Sequence, residues 1–189
     1  MARVHSVPMA TDLAWGAPLT EDDLATMPDD GHRYELIDGT LIVSPSPSLH
    51  HQRCVKPLIL LLEAACDAEH EVILAPFDVR LSRTTVLIPD LLVARTSDLT
   101  LARLETAPVL AAEILSPSTK RIDLGTKRMV YEAGGVRTYW VIDPEGPSLT
   151  VLELDDQGRY LDKAIVAGDE AYHATIPFAV TVVPGRLLD

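Results

Sequence analysis

The sequence predicts an α/β protein: a central mixed β-sheet flanked by helices, with extra β-hairpins at the C-terminal end. Three observations carry this. Of 189 residues, 47% are hydrophobic and only 5% aromatic, a composition of Leu, Val and Ala suited to buried strands. Short apolar runs bounded by turn residues alternate with helix-length segments, the order of a sheet covered by helices. The C-terminal stretch "SLTVLELDDQGRYLDKAIVAGDEAYHATIPFAVTVV" has the alternation and turn residues of hairpins at a sheet edge. The length suits a single domain over 1–189, with residues 1–18 expected to be loosely ordered.

Each element has a local reason. In "TEDDLATM", Thr20 caps a short helix and Asp22 and Asp23 favour its positive end. "HRYELIDGTLIVSP" is a hairpin, with Asp38-Gly39 as a type I′ turn between strands 34–37 and 40–43. "SPSPS" is a stiff loop. Ser48 then caps a long helix whose apolar face includes Cys54, Leu58, Leu61, Leu62 and Ala65, and which Pro57 kinks or restarts. Strands are expected at 71–80 and 86–94, a short helix near 97–105, and a third strand over "PVLAAEIL", 108–115. A helix opens near Ser118 and closes at Gly134-Gly135, and "VRTYWVID" is a further buried strand.

Charge and cysteine content narrow the function. There are 28 acids against 16 bases, a net of −12. Residues 17–40 hold seven acids and only Arg33, whereas 116–128 hold Lys120, Arg121, Lys127 and Arg128 against Asp123 alone. A broad basic surface for nucleic acid is absent from these totals, though a local basic patch is not. Cys54 and Cys66 lie about 18 Å apart along one helix, beyond disulfide reach, and two free thiols suit a reducing cytoplasm. Neither has ligand-like partners for zinc. No apolar stretch has the length of a membrane span or of a signal-peptide core, so no membrane role is expected. "SPSTK" lacks the glycines of a phosphate loop, so no nucleotide cofactor is expected, and no aromatic cluster suggests a base-stacking platform.

The chemistry starts at "VLIPDLLVAR". Asp90 sits in a run that otherwise reads as a buried strand, and Glu113 sits in a second, "VLAAEIL", without a charged neighbour within four residues. Two buried acids on adjacent strands repel unless something positive lies between them. Two readings are open. A hard divalent cation such as Mg²⁺, which takes carboxylate oxygen, would relieve both burials. Otherwise each acid lies at a strand end, touching water or paired with arginine.

"IPD" followed by "AEIL" resembles the PD-(D/E)XK nuclease signature. The longer run "YELIDGTLIVSPSPS…PDLLV…APVLAAEILSPSTKRIDLGTKRMVYEAGGVRTYWVIDP", from about Arg33 to Pro144, resembles the Uma family of restriction-endonuclease-like proteins. The resemblance implies a restriction-endonuclease-like fold with the acids on neighbouring strands. It implies a Mg²⁺-dependent endonuclease acting on DNA, with Mn²⁺ as a substitute ion, Asp90 and Glu113 as metal ligands, and Glu35 as the upstream acid. One position departs from the signature: the lysine expected two residues after Glu113 is Leu115. The resemblance implies that the following helix supplies it, from Lys127 in "DLGTKRMVY", with Lys120 as the nearer competitor. Asp123, Lys127 and Tyr131 recur at four-residue spacing and so share a helix face, where an exposed salt bridge is the plain alternative.

His50 and His51 follow "SPSPS" and could line the mouth of the site, although adjacent residues on a helix point apart. Two functions remain. One is a Mg²⁺-dependent endodeoxyribonuclease, assembled as a homodimer to cut both strands. The other is a nuclease-like fold kept as a binding or regulatory protein with weak or no cleavage, which the net charge favours.

Overall fold

The Asp38-Gly39 turn forms as its sequence requires, with φ of 49° and 75°, and joins β1 (Arg33–Ile37) to β2 (Thr40–Ser44) in antiparallel register. A Cβ at Gly39 would collide with Pro18, so the close approach of the N-terminal segment also demands glycine there. The computed structural model describes residues 16–188. Most of the N-terminal segment expected to be loosely ordered, residues 1–15, lies outside them. Thr20 closes a capping box with Asp23 on α1 (Glu21–Leu24), as its "TEDD" sequence suggests.

Two breaks in the chain distribute the strands between two sheets. The segment expected as one strand over 71–80 divides at Pro76 into β3 (His70–Leu74) and β4 (Asp78–Ser82). The segment over 86–94 divides at Pro89 into β5 (Thr85–Leu87) and β6 (Leu91–Arg95). Proline has no N–H to give to a ladder, so both strands end where it stands. The helix expected near 97–105 is absent. Thr96–Asp98 make one 3₁₀ turn, and Arg103–Leu104 form β7, parallel to β4. There the Thr100 hydroxyl accepts the Arg103 N–H at 3.1 Å, a local side-chain bond that competes with helix.

The six-stranded sheet runs β11 (Tyr160–Ala167), β10 (Ser148–Leu154), β9 (Thr138–Asp143), β8 (Leu110–Ile114), β6, β3, and the five-stranded sheet β2–β1–β5–β4–β7. In the larger one, β8 and β9 are parallel, and β10 and β11 form a hairpin at its edge. A last hairpin, β12 (Tyr172–Ala174) with β13 (Val180–Val182), packs near the helix α2 (Leu49–Ala65).

Strand alternation then decides the layers. Leu91, Val93, Leu110, Ala112, Ile114, Trp140 and Ile142 face α2, which buries Cys54, Val55, Leu58 and Leu62 against them. Pro57 sits inside α2 without ending it. Ala111, Tyr139 and Val141 face the other way, toward Ile37, Leu87, Tyr131 and Val136. Both cysteines are free. Among the described residues no helix is long and apolar enough to cross a membrane.

Candidate active site

β6 and β8 pair antiparallel with Leu91 opposite Ala112. One residue further along that register, Asp90 faces Glu113. Glu113 therefore leaves the sheet on the face opposite α2, while Asp90, just ahead of β6, lines the same small cavity and also reaches His51 on α2. Glu35 reaches the same place from β1, because its neighbours Tyr34 and Leu36 point away from it along the strand. The four sequence-predicted residues Glu35, Asp90, Glu113 and Lys127 meet there, each no more than 4% exposed.

Lys127 arrives by an irregular helix. Ile122–Lys127 is π-helical and runs into α3 (Arg128–Gly134), which closes on Gly135 in the left-handed conformation. A π segment is wider than an α-helix and is often found at functional sites. Here it keeps Asp123 and Lys127 on the inner side, both buried. The Lys127 Nζ donates to Glu113 Oε1 at 2.8 Å and lies 3.0 Å from Glu35 Oε1 and 3.7 Å from Asp123 Oδ1. The Tyr131 hydroxyl also donates to Glu113 Oε1, at 2.9 Å, and the Ile88 N–H orients Glu35 at 2.8 Å. Lys120 is elsewhere: it is exposed and pairs with Asp143 at 2.8 Å.

Asp90 has its own partners. Arg33 Nη1 donates to Oδ1 at 2.7 Å, while His51 Nε2 and the Ile114 N–H donate to Oδ2 at 2.8 and 2.9 Å. Nε2 must carry the hydrogen here, since its partner is an ionised carboxylate. The arginine pairing weighed as the plain alternative for the buried acids is thus present at Asp90. Of the two neighbouring histidines, His50 is exposed and His51 is buried on α2. Arg33, His51 and Asp123 complete the cluster. Arg33 was visible as the lone base among the acids of residues 17–40; nothing in the spacing pointed it at Asp90.

The charges are out of balance. Four carboxylates share two cations, Arg33 and Lys127, in a space of very low exposure. Burial pushes the Glu113 carboxyl well above the usual range; Lys127 opposes that rise, and Asp90, Asp123 and Glu35 add to it. Asp123 is raised for the same reasons, burial first, and its Oδ1 has no hydrogen-bond partner. Burial alone would lower Lys127; Glu113, Glu35 and Asp123 instead hold it above its ordinary value, so it stays charged. Burial likewise opposes Asp90's ionisation, but His51 and Arg33 bring it down to about 2.

This excess of hard oxygen donors over cations, with one carboxylate oxygen unpartnered, fits a divalent metal ion. The acids and Lys127 line a cavity of about 10 Å³, roughly the room of one water or ion. Among the described residues no three acid, histidine or cysteine side chains converge closely enough to hold an ion unaided. Asp90 and Glu113 would supply two carboxylates, leaving the remaining positions to water and substrate, which is usual for Mg²⁺.

A family model described as "Uma2: Putative restriction endonuclease" matches residues 21–182. A crystal structure from Anabaena variabilis ATCC 29413, described as a putative nuclease belonging to DUF820, is similar at 19% identity and a TM-score of 0.70, covering 90% of this chain and 98% of that one. At that identity the likeness speaks to the fold. None of the curated proteins matches.

Proposed function

Since the chain belongs to the Uma2 family and has a restriction-endonuclease-like fold, we propose that it is a Mg²⁺-dependent endonuclease that hydrolyses DNA phosphodiester bonds at the Asp90–Glu113 cavity. The observation that carries this reading is the gathering of Glu35, Asp90, Glu113 and Asp123 around Lys127 in a buried space with too little positive charge. A purely structural core gains nothing from such a cluster, because each unpaired acid costs desolvation energy.

Asp90 and Glu113 would hold Mg²⁺, or Mn²⁺ in its place, and the ion would supply Lewis-acid polarisation of the scissile phosphate and its attacking water. The chain's own groups do the rest. Lys127 is kept charged by its three acids and offsets the negative charge that grows on the phosphate in the transition state. Glu35, oriented by the Ile88 N–H, holds Lys127 toward Glu113. Arg33 and His51 orient Asp90, and the Arg33 guanidinium is poised for a phosphate oxygen, for which its planar fork is well shaped. Lys120, on the surface with Asp143, is a phosphate contact at most.

Cutting both strands of a duplex is simplest with two copies of the site, so a C₂ homodimer is the proposed assembly. The edge strand β11, with Leu161 and Ile165 exposed, offers a place for the copies to meet. A second reading, a nuclease-like fold that binds or regulates without cutting, is favoured by the net charge of −12, since phosphate contacts need Lys or Arg. A calorimetric titration with Mg²⁺ and Mn²⁺ separates the two. The nuclease binds them in the millimolar range or better and loses that binding in Asp90→Asn; absence of binding leaves only the second reading.

A further inference from the structure

Arg33 stands where three cavities meet. It lines the catalytic cavity, a groove of about 210 Å³ between the two Ser-Pro-Ser loops, and a chamber of about 360 Å³ that shares Asp90 with the catalytic cavity. The catalytic cavity admits one water or ion and no part of a nucleic acid strand. The nucleotide next to the scissile phosphate must therefore lie in an adjoining space.

The groove is the weaker candidate, because its hydroxyls are already engaged. Ser46 donates to the Gly31 carbonyl, Ser48 caps the His51 N–H, and Ser116 bonds Ser118 and Thr119. The chamber differs. Its volume falls in the range of about 300–1,000 Å³ common for small-molecule sites, and its walls mix apolar Val55, Leu74 and Pro76 with Arg33, His51 and Gln52. Two buried polar atoms of those residues, Arg33 Nε and His51 Nδ1, have no hydrogen-bond partner in the protein. Such atoms are uncommon because each forgoes its bond to water, and a polar ligand beside them would restore it. Leu74, on the edge strand β3, is 51% exposed, an open apolar surface beside polar ones.

We propose that this chamber takes one unpaired nucleotide of the substrate, with its base against Val55, Leu74 and Pro76 and its phosphate toward Arg33 and the Asp90–Glu113 cavity. The enzyme would then cut where a nucleotide is single-stranded or unpaired. A base held in a chamber cannot remain stacked in a helix, and extrusion is easiest where pairing is already lost. The charge agrees: a net of −12 is poorly suited to gripping two phosphate backbones, whereas a single-strand site also draws on contact with the bases. This inference rests on the nuclease reading for its substrate, but the chamber can be tested apart from cleavage.

The full chain is titrated with 2′-deoxyadenosine 5′-monophosphate and, separately, with inorganic phosphate, following binding by NMR or calorimetry. The nucleotide should bind at least about tenfold more tightly than phosphate, the contribution of a buried base. Because Leu74 is half exposed, Leu74→Ala leaves the core alone; it should weaken nucleotide binding several-fold and leave phosphate binding unchanged. Equal binding of the two ligands, or indifference to Leu74→Ala, overturns the chamber. A labelled single strand, its full duplex and a duplex with one unpaired nucleotide are then compared with Mg²⁺. The first and third should be cut at least about tenfold faster than the paired duplex in kcat/KM, as expected when extrusion is avoided. Equal rates overturn the proposal and spare the nuclease reading. Nucleotide binding as expected with none of the three cut sinks the nuclease reading and supports the chamber.

Discussion

Removing the two central acids should change the stability of the metal-free protein in opposite directions. Burial pushes Asp90 up, yet His51 and Arg33 hold it at about 2 against an ordinary 3.8, nearly two pH units. At about 1.4 kcal/mol per unit, those contacts stabilise the folded state by about 2 kcal/mol. The depressed value means that this contribution is present above pH 3.8 and is lost as pH falls through 2. Asp90→Asn at pH 7 should therefore lower Tm by about 4–8 °C for a chain of this size, and further to the extent that Arg33 is left without its partner. Glu113 has the opposite sign. Its carboxyl is raised by burial and by Asp90, Asp123 and Glu35, so the stability of its protonated form is complete below pH 4.5 and is lost as pH rises through the folded value. Glu113→Gln keeps an acceptor for Lys127 and Tyr131 without the charge. It should raise Tm at pH 7, with the gain vanishing below pH 4.5. Differential scanning calorimetry of both variants in metal-free buffer, at pH 7 and pH 4, measures this. Shifts of the same sign at pH 7 would refute the charge assignment.

Other outcomes follow from the same geometry. Because Glu113 must lose its proton to act as a ligand, Mn²⁺ affinity should rise with pH and binding should release protons, detected by calorimetry in buffers of differing ionisation enthalpy; proton-neutral binding would place the ion elsewhere. Lys127→Ala, its fold checked by circular dichroism, should still bind Mn²⁺ and lose cleavage by about two to four powers of ten, whereas Lys120→Ala, on the surface with Asp143, should keep its turnover. The reverse pattern in single-turnover kinetics would exchange their roles. Sedimentation should report a dimer at working concentration, and a clean monomer refutes the C₂ assembly.

The site was legible where chemistry conflicted with its surroundings. Asp90 and Glu113 stand out because each interrupts an apolar strand, and antiparallel register makes them neighbours. Turn and cap signals were equally local: Asp38-Gly39, Thr20 and Ser48 each form what their residue types favour. What depends on distant pairing was hidden. The ends of β3 and β5 follow from Pro76 and Pro89, but which sheet each following strand joins is decided by partners far along the chain. The π segment escaped detection because its sequence, "IDLGTK", fits an α-helix, and only the buried acids draw Lys127 inward. Arg33 and His51 are assigned to Asp90 by the fold alone, across 57 and 39 residues of sequence.

Metal-dependent cutting of nucleic acid by this cluster can be tested directly by one assay. Purified protein, stripped of metal, is incubated with a labelled DNA substrate carrying an unpaired segment, in EDTA and then in Mg²⁺ or Mn²⁺, beside Lys127→Ala prepared identically. Internal cleavage should appear on adding metal, disappear with EDTA, and fall by about two to four powers of ten in the variant. Cleavage that survives EDTA, or that Lys127→Ala retains in full, would contradict metal-dependent cutting at this cluster, as would intact DNA under every metal condition.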